Sequence, residues 1–287
     1  RLSYGDKLED DTFSFGNWKI RFQREFNFTD DRHMFNEDGD GYIIYEGKMI
    51  HQFTHVFAKP NYWIESNKGE KFLQDKQVNV IKRKYGKTID RSSTDLHFNY
   101  YRLFWRDATG ATNTRTLLSA ILPPKVLSIA TIPYLRPTYF NGTEFEKSIS
   151  YDTLLFLCGV FNSFVIDHLM RQKVQSHATM SHVLELPIPR YSEKDEYFTE
   201  IVQDVGSLVC GEPEFEDLKK DVKIERIAST SDERNAAMAR INAKVAKIYG
   251  LTENELKYIL SKFSDTLSVG VPNQPLKDYT LEEFVKL

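Results

Sequence analysis

The sequence predicts an α+β fold: a mixed, mostly antiparallel β region with a long packed helix, then a helical C-terminal region. Three observations predict it. Residues 42–140 hold short aromatic and β-branched runs broken by turn residues, the pattern of strands. Within residues 151–175, Leu154, Leu157, Cys158, Phe161, Val165 and Leu169 recur at helical steps. Residues 193–265 return to helical spacing, with Met238, Ile241, Val245 and Ile248 as one stripe.

Residues 1–41 open with an aromatic series, Phe13, Phe15, Trp18, Phe22, Phe26 and Phe28. Asn36 to Gly41 reads as a turn, because no Glu closes a calcium-loop spacing. Tyr42 to Tyr45 and Val126 to Ile132 read as strands, the second stopped by Pro133. His97 to Arg106 is rich in strand formers, and period two places Phe98, Tyr100, Arg102, Phe104 and Arg106 on one face. Ser150 or Asp152 caps the helix of residues 151–175. Gly159 lowers its helix propensity, so a close backbone neighbour is expected there. Leu186-Pro187-Ile188-Pro189 cannot be helical and should form an extended strap. Gly250 caps one helix, and Thr252 with Glu255 has the spacing of a capping box for the next. The last twenty or so residues, with Pro272 and Pro275, read as a loose arm.

The formal net charge is −3, but it is unevenly spread. Residues 71–130 carry eleven Lys or Arg against four Asp; residues 191–235 carry six basic groups against thirteen acidic ones. Such asymmetry suits one face for a polyanion and another turned away. Two cysteines imply no disulfide framework, and with no secretory leader the expected compartment is the cytoplasm. The longest apolar stretch, Leu154 to Met170, is interrupted by Asn162, Ser163, Asp167 and His168, which argues against a membrane span.

Four blocks carry a resemblance. The first is Tyr45-Glu46-Gly47-Lys48-Met49-Ile50-His51-Gln52-Phe53-Thr54-His55. The second runs from Thr112-Asn113-Thr114-Arg115-Thr116-Leu117 to Ala120-Ile121-Leu122-Pro123. The third joins Gly159, Asn162-Ser163, Arg171 and Lys173 to Leu186-Pro187-Ile188-Pro189. The fourth is Ile248-Tyr249-Gly250-Leu251-Thr252-Glu253 with Tyr258-Ile259-Leu260. In this order the set resembles the C-terminal region of large adenine-N6 DNA methyltransferases, including fused type IIG restriction–modification enzymes and related phage-defence methylases.

That resemblance implies a connector from a methyltransferase domain over residues 1–35, a DNA target-recognition domain over residues 36–190 and a helical domain over residues 191–287. Neither a glycine-rich turn for S-adenosylmethionine nor an (Asn/Asp/Ser)-Pro-Pro-(Tyr/Phe) element occurs. The chain also begins at Arg1. The expectation is therefore a C-terminal part of a longer enzyme, with no cofactor of its own. S-adenosylmethionine, and Mg²⁺ where a nuclease is fused, would belong to the parent. Its implied partners are double-stranded DNA and the methyltransferase domain of the same parent chain.

Expected DNA contacts follow from residue chemistry. Lys82-Arg83-Lys84-Tyr85-Gly86-Lys87 reads as a basic loop for phosphates. Arg102 and Arg106 present arginine forks on one strand face, and Asn113 and Arg115 lie beside a turn that returns towards them. Lys48, Gln52 and His55 complete the expected surface. Two other chemistries compete for the first block. Glu46 and Lys48, with Asp38 or Asp40, could form a Mg²⁺-dependent nuclease site. His51 and His55 would suit zinc only on a helix, with further ligands. A different class of function is a protein-interaction module of a phage-defence complex, which the overall acidity favours.

Overall fold

The computed structural model describes residues 20–264 and 273–287; Phe13, Phe15, Trp18 and Pro272 lie outside the described residues. The strands in chain order are β1 (Phe22–Gln23), β2 (Tyr42–Tyr45), β3 (Tyr62–Ile64), β4 (Arg102–Trp105), β5 (Ser119–Leu122), β6 (Leu127–Ser128), β7 (Tyr134–Leu135), β8 (Thr138–Phe140) and β9 (Phe145–Lys147). The helices are α1 (Phe28–Asp31), α2 (Ser66–Tyr85), α3 (Tyr151–Phe161), α4 (Phe164–Lys173), α5 (Met180–Leu184), α6 (Phe198–Val209), α7 (Glu216–Val222), α8 (Ser231–Ile248), α9 (Glu253–Leu260) and α10 (Asn273–Lys286). The fold is mixed α+β.

An antiparallel four-stranded sheet has the order β1-β7-β4-β5. A second sheet, β3-β2-β6, pairs β2 antiparallel to β3 and parallel to β6. The β8–β9 hairpin stands apart from both. Strand β4 lies inside its sheet, and all four of its residues are buried.

Four expectations about elements are corrected, the fourth in the helix of residues 151–175. Residues 66–85 form the twenty-residue helix α2, where strands were expected. Its charged sequence buries only Gly69, Leu73 and Ile81, so its apolar stripe is thin. His97–Asn99 is a 3₁₀ turn, and the strand begins only at Arg102. Residues 273–286 form α10, where Leu276 and Phe284 are buried, rather than a loose arm.

The helix expected over residues 151–175 is two helices bent by 64° at Asn162–Ser163. Ser163 starts α4 by accepting from the Ile166 N–H through its hydroxyl, a cap that fixes the bend. Among the described residues, no single helix is long and apolar enough to cross a membrane. Gly159 faces side chains rather than backbone: a Cβ there would lie 2.8 Å from Val205 Cγ2 and 2.9 Å from Ile201 Cγ2. The glycine thus lets α3 and α6 approach closely, within an apolar core that also includes Ile241 and Val245 of α8. The capping expectations hold. Gly250 has φ +64°, and Thr252 and Glu255 form the box that starts α9.

Candidate nucleic-acid interface

The first block leaves β2 and turns through a 3₁₀ segment at Gly47–Met49. Arg106 holds that turn, donating from Nε to Gly47 O at 2.8 Å and from its terminal nitrogen to Ile50 O at 3.1 Å. Gln52 donates to Asn162 O at 2.9 Å. Phe53 takes φ +60°, a left-handed conformation that costs energy for a bulky residue, and is buried. His55 is 5% exposed and stacks on Phe215 with ring centres 5.1 Å apart. Neither His55 ring nitrogen has a hydrogen-bond partner. Burial pulls its pKa down to about 4. His51 stacks on Phe57 and is likewise lowered to about 4, by burial first and then by the Arg106 and Arg115 charges. Lys48 is exposed and pairs with Glu46 at 3.1 Å, while Asn61 also donates to Glu46 at 3.0 Å. Among the described residues, no group of three His, Cys, Asp or Glu is disposed to hold a metal ion.

The second and third blocks meet in a buried polar hub. Arg115 Nε donates to Asp167 Oδ2 at 2.8 Å, beneath the Phe164 ring. The other Asp167 oxygen accepts the backbone N–H groups of Thr116 at 2.8 Å and Leu117 at 2.9 Å. The Asn162 side chain bonds both backbone groups of Ser119, at 3.0 and 2.9 Å, and the Asn162 backbone carbonyl accepts from Arg115. Arg171 donates to the carbonyls of Asn113 and Thr114. Asn242 of α8 caps the neighbouring turn by accepting the Phe164 N–H at 2.8 Å. Through Gln52, the first block joins the same hub.

This geometry corrects much of the expected DNA surface. Arg102 has no exposed surface: it pairs with Glu25 at 2.6 Å, donates to Val126 O, and lies 4.9 Å from the ring centres of both Phe104 and Tyr134. Arg106 spends its fork on backbone carbonyls, and Arg115 is sealed against Asp167. Gln52 and His55 also turn inward. Period two put Arg102 and Arg106 on one face, but β4 is buried on both faces at Arg102–Trp105, and the half-buried Arg106 just beyond it is tied to carbonyls. Asn113 remains exposed at its turn, with its amide 3.3 Å from Thr109 Oγ1.

The exposed basic group lies elsewhere. Lys82, Arg83 and Lys84 occupy the last turn of α2, not a loop. Gly86, at φ +66°, ends the helix by returning its N–H to Lys82 O, and Lys87 follows. Cations suit the negative end of a helix dipole. All four are exposed, and none forms an ion pair among the described residues. Tyr85 anchors this end to the β8–β9 hairpin by donating to Phe140 O at 2.6 Å.

Between α2, β7 and that hairpin lies a cavity of about 660 Å³, whose lining includes Lys84. A second, of about 440 Å³, separates the His51–Phe57 segment from Phe215 and Arg234. Val56 and Phe57 at its edge are 60% and 39% exposed.

Sequence reasoning named neither Asp167 nor Glu25 as a partner of the arginines. A lone Asp within the apolar run of residues 154–170 was the available signal for the first. The second is distant in sequence and had none. Compared with known families, the chain matches no family model, and no curated protein matches it.

Proposed function

We propose that this chain is the target-recognition part of an adenine-N6 DNA methyltransferase or a fused restriction–modification enzyme, acting on DNA in the cytoplasm. The sequence resemblance supplies the class. The observation that carries it onto a surface is the run of exposed, unpaired cations at the end of α2, Lys82, Arg83, Lys84 and Lys87. Lysines without carboxylate partners are free to displace the counterions of a phosphate backbone. The four resembling blocks then serve as scaffold: their buried polar side chains tie turns and helices together instead of touching bases. S-adenosylmethionine and the transfer chemistry would be supplied by the methyltransferase domain of the parent.

Duplex binding by the full chain, followed by fluorescence anisotropy across a salt series, tests this reading. Lys82→Ala and Lys87→Ala should each weaken all sequences about equally and lower the salt slope by about 0.9, and together by roughly twice that. Lys257→Ala on α9, whose lysine is paired with Glu253, should leave the slope unchanged. A slope that ignores both α2-end substitutions would remove the proposed interface.

A second reading, a protein-interaction module of a defence complex, is favoured by one feature. Exposed Val56 and Phe57 beside the smaller cavity form an apolar edge suited to a protein partner.

A further inference from the structure

The larger cavity carries more chemistry than a phosphate surface needs. Its volume of about 660 Å³ is that of a small-molecule site. Four cations line it, Arg21, Lys76, Lys84 and Arg136, against two carboxylates, Glu25 and Glu146. Both carboxylates are engaged. Glu25 holds Arg102 and Ser128, and Glu146 accepts from the Tyr139 hydroxyl and the Asn141 amide.

Arg136 is the unbalanced member. Its guanidinium forms no ion pair among the described residues, and its buried Nε has no hydrogen-bond partner. Burial lowers its pKa; Tyr134 and Tyr85 partly offset this, and the nearby Arg21 charge adds to it. A largely desolvated cation beside a like charge is costly unless an anion completes the site. Thr138, only 2% exposed, also lines the cavity, and its hydroxyl has no partner. The remaining walls are aromatic. Tyr139, Phe140 and Phe145 come from the hairpin and Tyr85 from α2, with Phe140 and Phe145 ring centres 5.1 Å apart.

We propose that this cavity binds a single nucleotide, its phosphate on Arg136 and Arg21 and its planar base against the aromatic walls. Guanidinium forks match phosphate oxygens, and base–aromatic stacking accepts any base. Inorganic phosphate alone would leave the aromatic space unfilled; a neutral nucleoside would leave Arg136 uncompensated. The nucleotide has two possible sources of the same chemistry: a free nucleoside monophosphate, or a nucleotide turned out of DNA held at the end of α2. Lys84 belongs to both the helix end and the cavity lining, so the two surfaces are continuous. The second source rests on the DNA reading above; the first does not.

Calorimetry of the full chain with dAMP, adenosine and inorganic phosphate tests the site. The nucleotide should bind at least tenfold more tightly than either fragment. Arg136→Met should lose at least tenfold for dAMP. Tyr139→Ala, on a partly exposed hairpin position, should weaken dAMP severalfold without changing the response to phosphate. A duplex carrying 2-aminopurine separates the sources. A fluorescence rise on binding, reversed by dAMP while the duplex stays bound, supports the DNA-derived nucleotide. Binding of dAMP without that rise supports the free one. If dAMP binds no better than phosphate, and 2-aminopurine stays dark, the proposal is overturned. The salt dependence of duplex binding judges the DNA reading independently.

Discussion

Asp167→Ala should cost at least about 5 kcal/mol of stability. The carboxylate is fully buried and accepts from Arg115 and from two backbone N–H groups. Removing one member of a buried ion pair costs about 3–5 kcal/mol, and each orphaned backbone donor adds roughly 1–3. A typical domain has only about 5–15 kcal/mol in total, so the variant should be largely unfolded or unfold at much lower urea. Asp167→Asn should fall between, since its amide oxygen can still accept from Thr116 and Leu117 while the Arg115 charge loses its counter-ion. An unfolding free energy for Asp167→Ala within about 1 kcal/mol of the parent chain's, from urea titration, would contradict the hub.

Stability should also collapse on mild acidification. Burial lowers the pKa of His51 and His55 to about 4 and that of His97 to about 3. In the unfolded chain these imidazoles take up protons near pH 6.5. Their contribution is therefore fully present above about pH 6.5 and is lost as pH falls towards 4, because the unfolded state then binds more protons. Each proton gives about 1.4 kcal/mol per pH unit, so the three together should remove roughly 4 kcal/mol per unit below pH 6. Urea unfolding at pH 7.5, 6 and 5 would read this slope. His55→Phe should retain stacking on Phe215 while removing about a third of it. No hydrogen bond is lost in that exchange. A pH-independent midpoint between 7.5 and 5 would refute the buried neutral histidines.

Elements with strong local signals were legible in the sequence. The stripe of α8, the glycine at 250 and the Thr252–Glu255 box gave the helical hairpin, because each acts within one turn. Helix α2 was hidden: its few buried residues are diluted by lysines, Gly69 and β-branched Val78 and Val80. The bend at Asn162 was also missed, since apolar periodicity continues across it while the cap at Ser163 restarts the helix.

The candidate site was less legible for one physical reason. Period two says which residues share a strand face, but not whether another layer covers that face. Arg102 and Arg106 were co-facial as expected, and buried or bound to carbonyls all the same. The basic cluster at residues 82–87 was readable by charge alone, but its place at a helix end and beside a cavity was not.

Amide hydrogen exchange of the full chain, with and without duplex DNA at low salt, tests most directly the claim that the resembling blocks build the scaffold while DNA is held at the end of α2. The account predicts slowed exchange in residues 76–87 and 134–147, with residues 112–119 and 157–167 unchanged. Protection confined to residues 47–57 and 107–116, with the end of α2 unaffected, would contradict it.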